Sequence, residues 1–126
     1  ERVIIDDCYN ANPQAMAEAL RILAQTEHPR RMAVLGDMGE LGDLTEKAHR
    51  DMGVLTRELG LDTVVAIGTK AQAIRDANPD VLWFPTVQEA LPAIREAFTP
   101  GTAVLVKASH AMHFTDIVAD LEANTQ

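Results

Sequence analysis

At 126 residues the chain is the size of one domain with a real buried core, and its 11 basic against 19 acidic residues leave a formal net charge of −8. That balance argues against a nucleic-acid backbone or an anionic membrane as the main partner, though not against a small nucleotide, which needs only local donors. The one cysteine, Cys8, leaves no internal disulfide and fits a reducing, cytoplasmic setting, and no stretch of these residues reads as a signal peptide or as an apolar run long enough to span a bilayer.

The chain enters a strand almost at once, Arg2 to Asp6, and so reads as a domain cut from something longer. Asn12 offers a cap and Pro13 a first helical position, and Met16, Leu20 and Leu23 recur at helical spacing to about Gln25. Met32 to Leu35 is a second strand, ended by Gly36 and followed by the loop DMGELGD. Asp43 and Glu46 have the spacing of a capping box, and Ala48, Met52, Leu55 and Leu59 mark one face of a helix that stops at Gly60. Thr63 to Ile67 is a third strand, and Thr69 or Lys70 opens a short helix ending before Pro79. Val81 to Phe84 is a fourth strand. Thr86 and Glu89 make a second capping box for a helix to Phe98, with a kink expected at Pro92. Pro100-Gly101 turns the chain into a fifth strand, Thr102 to Val106, and Phe114, Ile117, Val118 and Leu121 are the buried stripe of a last helix. Apolar strands alternating with amphipathic helices predict an α/β fold, a Rossmann-like three-layer sandwich with a mostly parallel sheet covered on both faces.

Ligands of such sheets bind outside the carboxyl ends of the strands. The less ordinary polar residues fall there: Asp6, Asp7, Tyr9 and Asn10 after the first strand, Asp37 after the second, Thr69 and Lys70 after the third, Thr86 after the fourth, and Lys107, Ser109, His110 and His113 after the fifth. Plainer readings stand beside this one. Asp6 and Asp7 also suit a solvated turn, and Asn12-Pro13 is a complete helix start. Gly36, Gly39 and Gly42 match neither a dinucleotide fingerprint nor a phosphate loop and read as turn glycines. His49 reads as a surface or half-buried helix residue, and His110 with His113 could share a metal, although no third ligand is placed and no metal site is assigned. Lys107 is the least ordinary, a cation at a strand end that would project into the crevice and suit phosphate or carboxylate.

Three stretches, DDCYNANPQAM, AVLGDMGELGDLTEKAHRDMG and VLVKASHAMHFTDIV, together resemble the C-terminal domain of the UDP-N-acetylmuramoyl-tripeptide–D-alanyl-D-alanine ligases of the Mur ligase family, matching its D-S-Y-N-A-N-P, V-L-G-D-M-x-E-L-G and V-L-V-K-G-S-R segments in order. Cys8 stands at the family's usual Ser, Ala108 at its Gly and His110 at its Arg, which changes a planar fork into a single donor at that last position. The resemblance implies a three-domain enzyme of cytoplasmic peptidoglycan and cell-wall synthesis. ATP phosphorylates the tripeptide carboxylate, and the amine of D-Ala-D-Ala attacks the acyl phosphate. The N-terminal domain holds the UDP-sugar, and the central domain the phosphate-binding loop and Mg2+ ligands. This domain closes over ATP and is inactive alone. It implies Asp7 on the ATP ribose, Tyr9, Asn10 and Asn12 beside the nucleotide, and Asp37, Met38, Leu41, Ser109 and His110 toward the dipeptide, with Lys107 as the catalytic cation. Two alternatives come from other classes. A phospho-receiver domain shares the length, the βα count, the acidic pair and the lysine, but has an Asp where this chain has Gly68-Thr69. A stand-alone nucleotide-binding module is the other.

Overall fold

The computed structural model describes residues 1–8 and 11–124. The sequence-predicted order is observed, as β1 (Val3–Asp7), α1 (Pro13–Ala24), β2 (Arg30–Gly36), α2 (Thr45–Leu59), β3 (Thr63–Ile67), α3 (Gln72–Ala77), β4 (Leu82–Phe84), α4 (Val87–Ala97), β5 (Thr102–Lys107) and α5 (Thr115–Ala123). Single 3-10 turns at Gly42–Leu44 and His110–Met112 precede α2 and α5. The five strands form one sheet in the order β1-β5-β2-β3-β4, every pair parallel. A receiver-type sheet runs 2-1-3-4-5, with its first strand inside the sheet. Here β1 is an edge, so the receiver reading fails on topology as well as on the missing acid.

Alternation along each strand splits the core in two. Ala33, Leu35, Val64, Ala66, Ala103 and Leu105 face one side, where they pack on Met16, Leu20 and Leu23 of α1, Ala48 and Met52 of α2 and Ile74 of α3. Met32, Val34, Val65, Ile67, Val104 and Val106 face the other, against Ala90 and Ile94 of α4 and Ile117, Val118 and Leu121 of α5. These are the two helical layers the sequence predicts.

Boundaries differ where polar residues extend a strand. Strand β2 starts at Arg30, since Arg30 and Arg31 pair with Thr102 and Ala103 before the apolar run begins. Strand β1 continues to Asp7, which pairs in register with Lys107. Helix α1 starts as expected, with Asn12 Oδ1 accepting from the Ala15 N–H at 2.8 Å. Thr86 caps α4 through the Glu89 N–H at 3.2 Å. The expected Asp43–Glu46 box does not form. The 3-10 turn occupies that stretch, Thr45 Oγ1 donates to the Gly42 carbonyl at 2.7 Å, and α2 begins at Thr45 with no side-chain cap. Helix α4 runs unbroken through Pro92, whose missing N–H leaves only the carbonyl of exposed Gln88 to water.

Helices α2 and α3 touch through a glycine. A Cβ on Gly53 would meet the Ile74 carbonyl oxygen and lie 2.8 Å from Ala77 Cβ. In an exposed helix, Gly-to-Ala gains about 1 kcal/mol of propensity. At this contact the overlap reverses the sign, and Gly53→Ala is expected to lower stability by roughly 1–3 kcal/mol. Urea unfolding measures it, and a midpoint at or above that of the parent would show that the two helices part without cost.

Candidate functional site

Because β5 sits between β1 and β2, the chain leaves neighbouring strands in opposite directions. After β1 and β2 it passes to the α1–α2 face, and after β5 it passes to the α5 face. Such a divergence opens a crevice at the strand ends. An open cleft of about 640 Å³ lies there, walled by Ala11 and Asn12 after β1, by Gly39, Glu40 and Leu41 after β2, and by Ser109, His110 and Ala111 after β5. Four of the sequence-predicted site residues, Asn12, Leu41, Ser109 and His110, are thus brought together. Tyr9 and Asn10 lie outside the described residues.

Asp7 and Lys107 end adjacent strands in register, and Lys107 Nζ donates to Asp7 Oδ2 at 2.6 Å. The expectation that Lys107 projects into the crevice is corrected. Its side chain is 2% exposed, and its ammonium turns to the carboxylate across the ladder. A bare buried ammonium would pay a desolvation cost that this charge-assisted bond offsets. Asp7, with its side chain 44% exposed, stays accessible from solvent.

The second correction concerns Asp37 and Met38, which do not line the cleft. Asp37 Oδ1 accepts from the Ala71 N–H at 2.9 Å, tying the end of β2 to the turn before α3. Met38 is fully buried in the α1–α2 core. Its backbone N–H donates to His49 Nε2 at 3.0 Å, so His49, expected near the surface, is instead wholly enclosed. The polar rim also divides. Thr69 and Lys70 border a separate hollow with Gly42, Asp43 and Thr45, while Thr86 and His113 border another. His110 lines the cleft and His113 the hollow beside Thr86, and no group of three or more His, Cys, Asp or Glu among the described residues is placed to hold a metal ion.

Two small residues let the strand ends approach. A Cβ on Gly36 would lie 2.6 Å from Ala108 Cβ and 2.6 Å from Phe114 Cζ. Ala108 is fully buried, and its methyl fits because the facing Gly36 has none. Cys8 is 1% exposed and its thiol donates to the Val106 carbonyl at 3.7 Å. Burial first, then hydrogen bonding to Asp6, pushes the thiol up to about 12, which leaves it un-ionised and unreactive at neutral pH. The cleft residues that the sequence did not single out are Ala11 and Ala111, while Gly39 and Glu40 belong to the Asp37 to Leu41 loop that the family resemblance places toward the dipeptide. Glu40 has φ of 61°, a left-handed conformation uncommon outside glycine, for which a glutamate gives no sequence signal.

Residues 1–110 match the family described as Mur ligase, glutamate ligase domain. The UDP-N-acetylmuramoyl-tripeptide–D-alanyl-D-alanine ligase of Bacillus subtilis is 34% identical over 94% of this chain and 27% of its own. That of Escherichia coli is 31% identical over 98% and 27%. Among solved structures, MurF from Acinetobacter baumannii superposes with a TM-score of 0.89 at 35% identity, over 98% of this chain and 28% of that one. MurF ligase from Thermotoga maritima in complex with ADP gives 0.84 at 26% identity, over 97% and 28%. The chain thus spans little more than a quarter of the length of these relatives.

The ion pair should respond unequally to loss of its two ends. Lys107→Met removes the buried charge, leaves Asp7 to water and is expected to cost about 1 kcal/mol or less. Asp7→Ala strips the carboxylate from a buried ammonium and is expected to cost about 2–3 kcal/mol, below a wholly enclosed pair because Asp7 is half-exposed. Denaturant midpoints of the two variants decide, and the opposite order would mean that the lysine is not held by Asp7.

Proposed function

Because the chain belongs to the Mur ligase, glutamate ligase domain family, we propose that it is the C-terminal domain of a three-domain, ATP-dependent ligase joining D-Ala-D-Ala to UDP-N-acetylmuramoyl-tripeptide. The observation that carries this reading is the cleft at the β1, β5 and β2 ends, where Asn12, Leu41, Ser109 and His110 meet. A carboxylate is a poor acyl donor because its leaving group would be oxide. ATP transfers its γ-phosphoryl group to the tripeptide carboxylate and leaves as ADP. The dipeptide amine, once it has lost a proton, attacks the acyl carbon. The C–O bond to phosphate breaks, and the products are the amide and inorganic phosphate.

In this scheme the domain binds and orients. Asp7 accepts hydrogen bonds from the ATP ribose hydroxyls, with Oδ2 fixed by Lys107 and the exposed side of the carboxylate open to the sugar. Lys107 becomes a positioning residue for that carboxylate rather than a group that touches the phosphate. Asn12 keeps its oxygen on the α1 cap and has its amide NH2 for the nucleotide. Tyr9 is proposed beside the nucleotide and Asn10 on its adenine side. Leu41 offers apolar surface to the alanyl methyls, and Ser109 and His110 offer donors to the dipeptide carboxylate. Asp37 and Met38 support the loop from inside. Mg2+ does not fit the described residues, which bring no cluster of ligands together, so no step is assigned to it here and its ligands are proposed on the central domain.

The test is phosphate release by the full-length protein that carries this domain. Release should require ATP, UDP-N-acetylmuramoyl-tripeptide and D-Ala-D-Ala together, and turnover indifferent to D-Ala-D-Ala would overturn the proposal. Asp7→Asn, which keeps the shape but loses the charge, is expected to raise KM for ATP on the order of tenfold and leave KM for the dipeptide unchanged. An unaltered ATP KM would take Asp7 off the ribose.

A further inference from the structure

His49 lies on α2, is fully buried, and does not reach the cleft, yet both its ring nitrogens are committed. The Met38 N–H can only donate, and it meets Nε2 at 3.0 Å. The Thr45 carbonyl can only accept, and it lies 2.7 Å from Nδ1. The ring is therefore neutral with its proton on Nδ1. These two bonds tie the start of the β2–α2 loop to the first turn of α2. Between them lie Gly39, Glu40 and Leu41, one wall of the cleft. Two further bonds, Leu44 N–H to the Leu41 carbonyl at 3.0 Å and Thr45 Oγ1 to the Gly42 carbonyl at 2.7 Å, close the far end of the loop. Glu40 at φ 61° and Gly42 at φ 56° bend the chain in the left-handed region, so the wall has a particular shape that must be held. A core position that only needed filling would take another aliphatic residue, as Met52 does one turn on.

We propose that His49 is a positioning residue. Its Nε2 holds the Met38 N–H and thereby sets the Gly39–Leu41 wall against which the amino substrate is placed. This rests on the reading of the cleft as the dipeptide site. The nucleotide side, built on β1, should be insensitive to it, which separates positioning from general destabilisation.

The experiment uses two variants of the full-length ligase. In His49→Gln the amide can stand in for Nε2 and accept from Met38. In His49→Asn the shorter amide stands in for Nδ1 and leaves the Met38 N–H unsatisfied. His49→Asn is expected to raise KM for D-Ala-D-Ala on the order of tenfold, with kcat and the KM for ATP within about twofold of the parent. His49→Gln should stay close to the parent in all three. Equal behaviour of the two variants, or a joint rise in both KM values, would overturn the proposal. Hydrogen exchange supplies a readout independent of activity. In the parent the Met38 amide should exchange as slowly as those of β2, and in His49→Asn the segment 38–44 should exchange faster while β2 does not change. An unprotected Met38 amide in the parent would refute the strut by itself, whether or not either variant folds. If the parent lacks turnover dependent on D-Ala-D-Ala, the functional reading fails while the exchange result still decides the role of His49.

Discussion

The insertion of β5 between β1 and β2 is the constraint on which the rest of the structure depends. A last strand that had simply extended the sheet at β4 would have left β1 and β2 as neighbours, with both their loops turning the same way. Placed between them, β5 pairs on both sides and is buried along its whole length. It sends the following segment to the opposite face of the sheet from α1 and α2. Three loops then surround one hollow. Both halves of the core follow from the same placement, since Ala103 and Leu105 feed one and Val104 and Val106 the other.

That placement has an electrostatic consequence. Strand β5 ends on Lys107 in the middle of the sheet, where an ammonium has little water. The register supplies the remedy, because Asp7 is the direct partner on β1. A fully enclosed ion pair often gains nothing over an apolar one. This pair is asymmetric: the cation is sheltered and the anion half in water. The desolvation cost falls mainly on one partner, and the carboxylate is held in one orientation while still presented outward. Gly36 completes the corner, since a Cβ there would collide with Ala108 and Phe114.

Much of this was legible in the sequence. Uninterrupted apolar runs located the strands and helical spacing located α1, α2 and α5, while start and stop residues placed α3 and α4, and Asn12-Pro13 and Thr86 marked their helix starts because those caps act through immediate neighbours. The α2 start was misread because Asp43 and Glu46 have the right spacing, while the 3-10 turn at Gly42–Leu44 takes the residues a cap would need. In the site, Ser109 and His110 were identified from strand-end position, while Asn12 and Leu41 came from the resemblance to the family. Side-chain direction was not legible. Lys107 and Met38 lie at strand ends like Ser109, yet one is satisfied by a partner 100 residues away and the other by the core. No local pattern records such long-range partners, and the enclosure of His49 was hidden for the same reason: its partner at Met38 is brought close only by the fold of the loop.

The cleft itself is an argument for a domain that works against another surface. Its walls offer hydroxyl, imidazole and amide groups from Ser109, His110 and Asn12, one carboxylate from Glu40 and the apolar edge of Leu41. That is enough to orient a small zwitterion and not enough to neutralise a triphosphate, for which the chain has no glycine-rich cradle and a net charge of −8. The proposed ligase needs both tasks done at one reacting carbon. A division in which this domain positions the amine and the ribose, and a cationic neighbour carries the phosphates, asks of each surface only the chemistry its residues can supply. On that proposal, fixed contacts such as Asp7–Lys107 and His49–Met38, rather than a deep pocket, set the geometry. A wall that closes on its ligand from one side must already have its shape before the other side arrives.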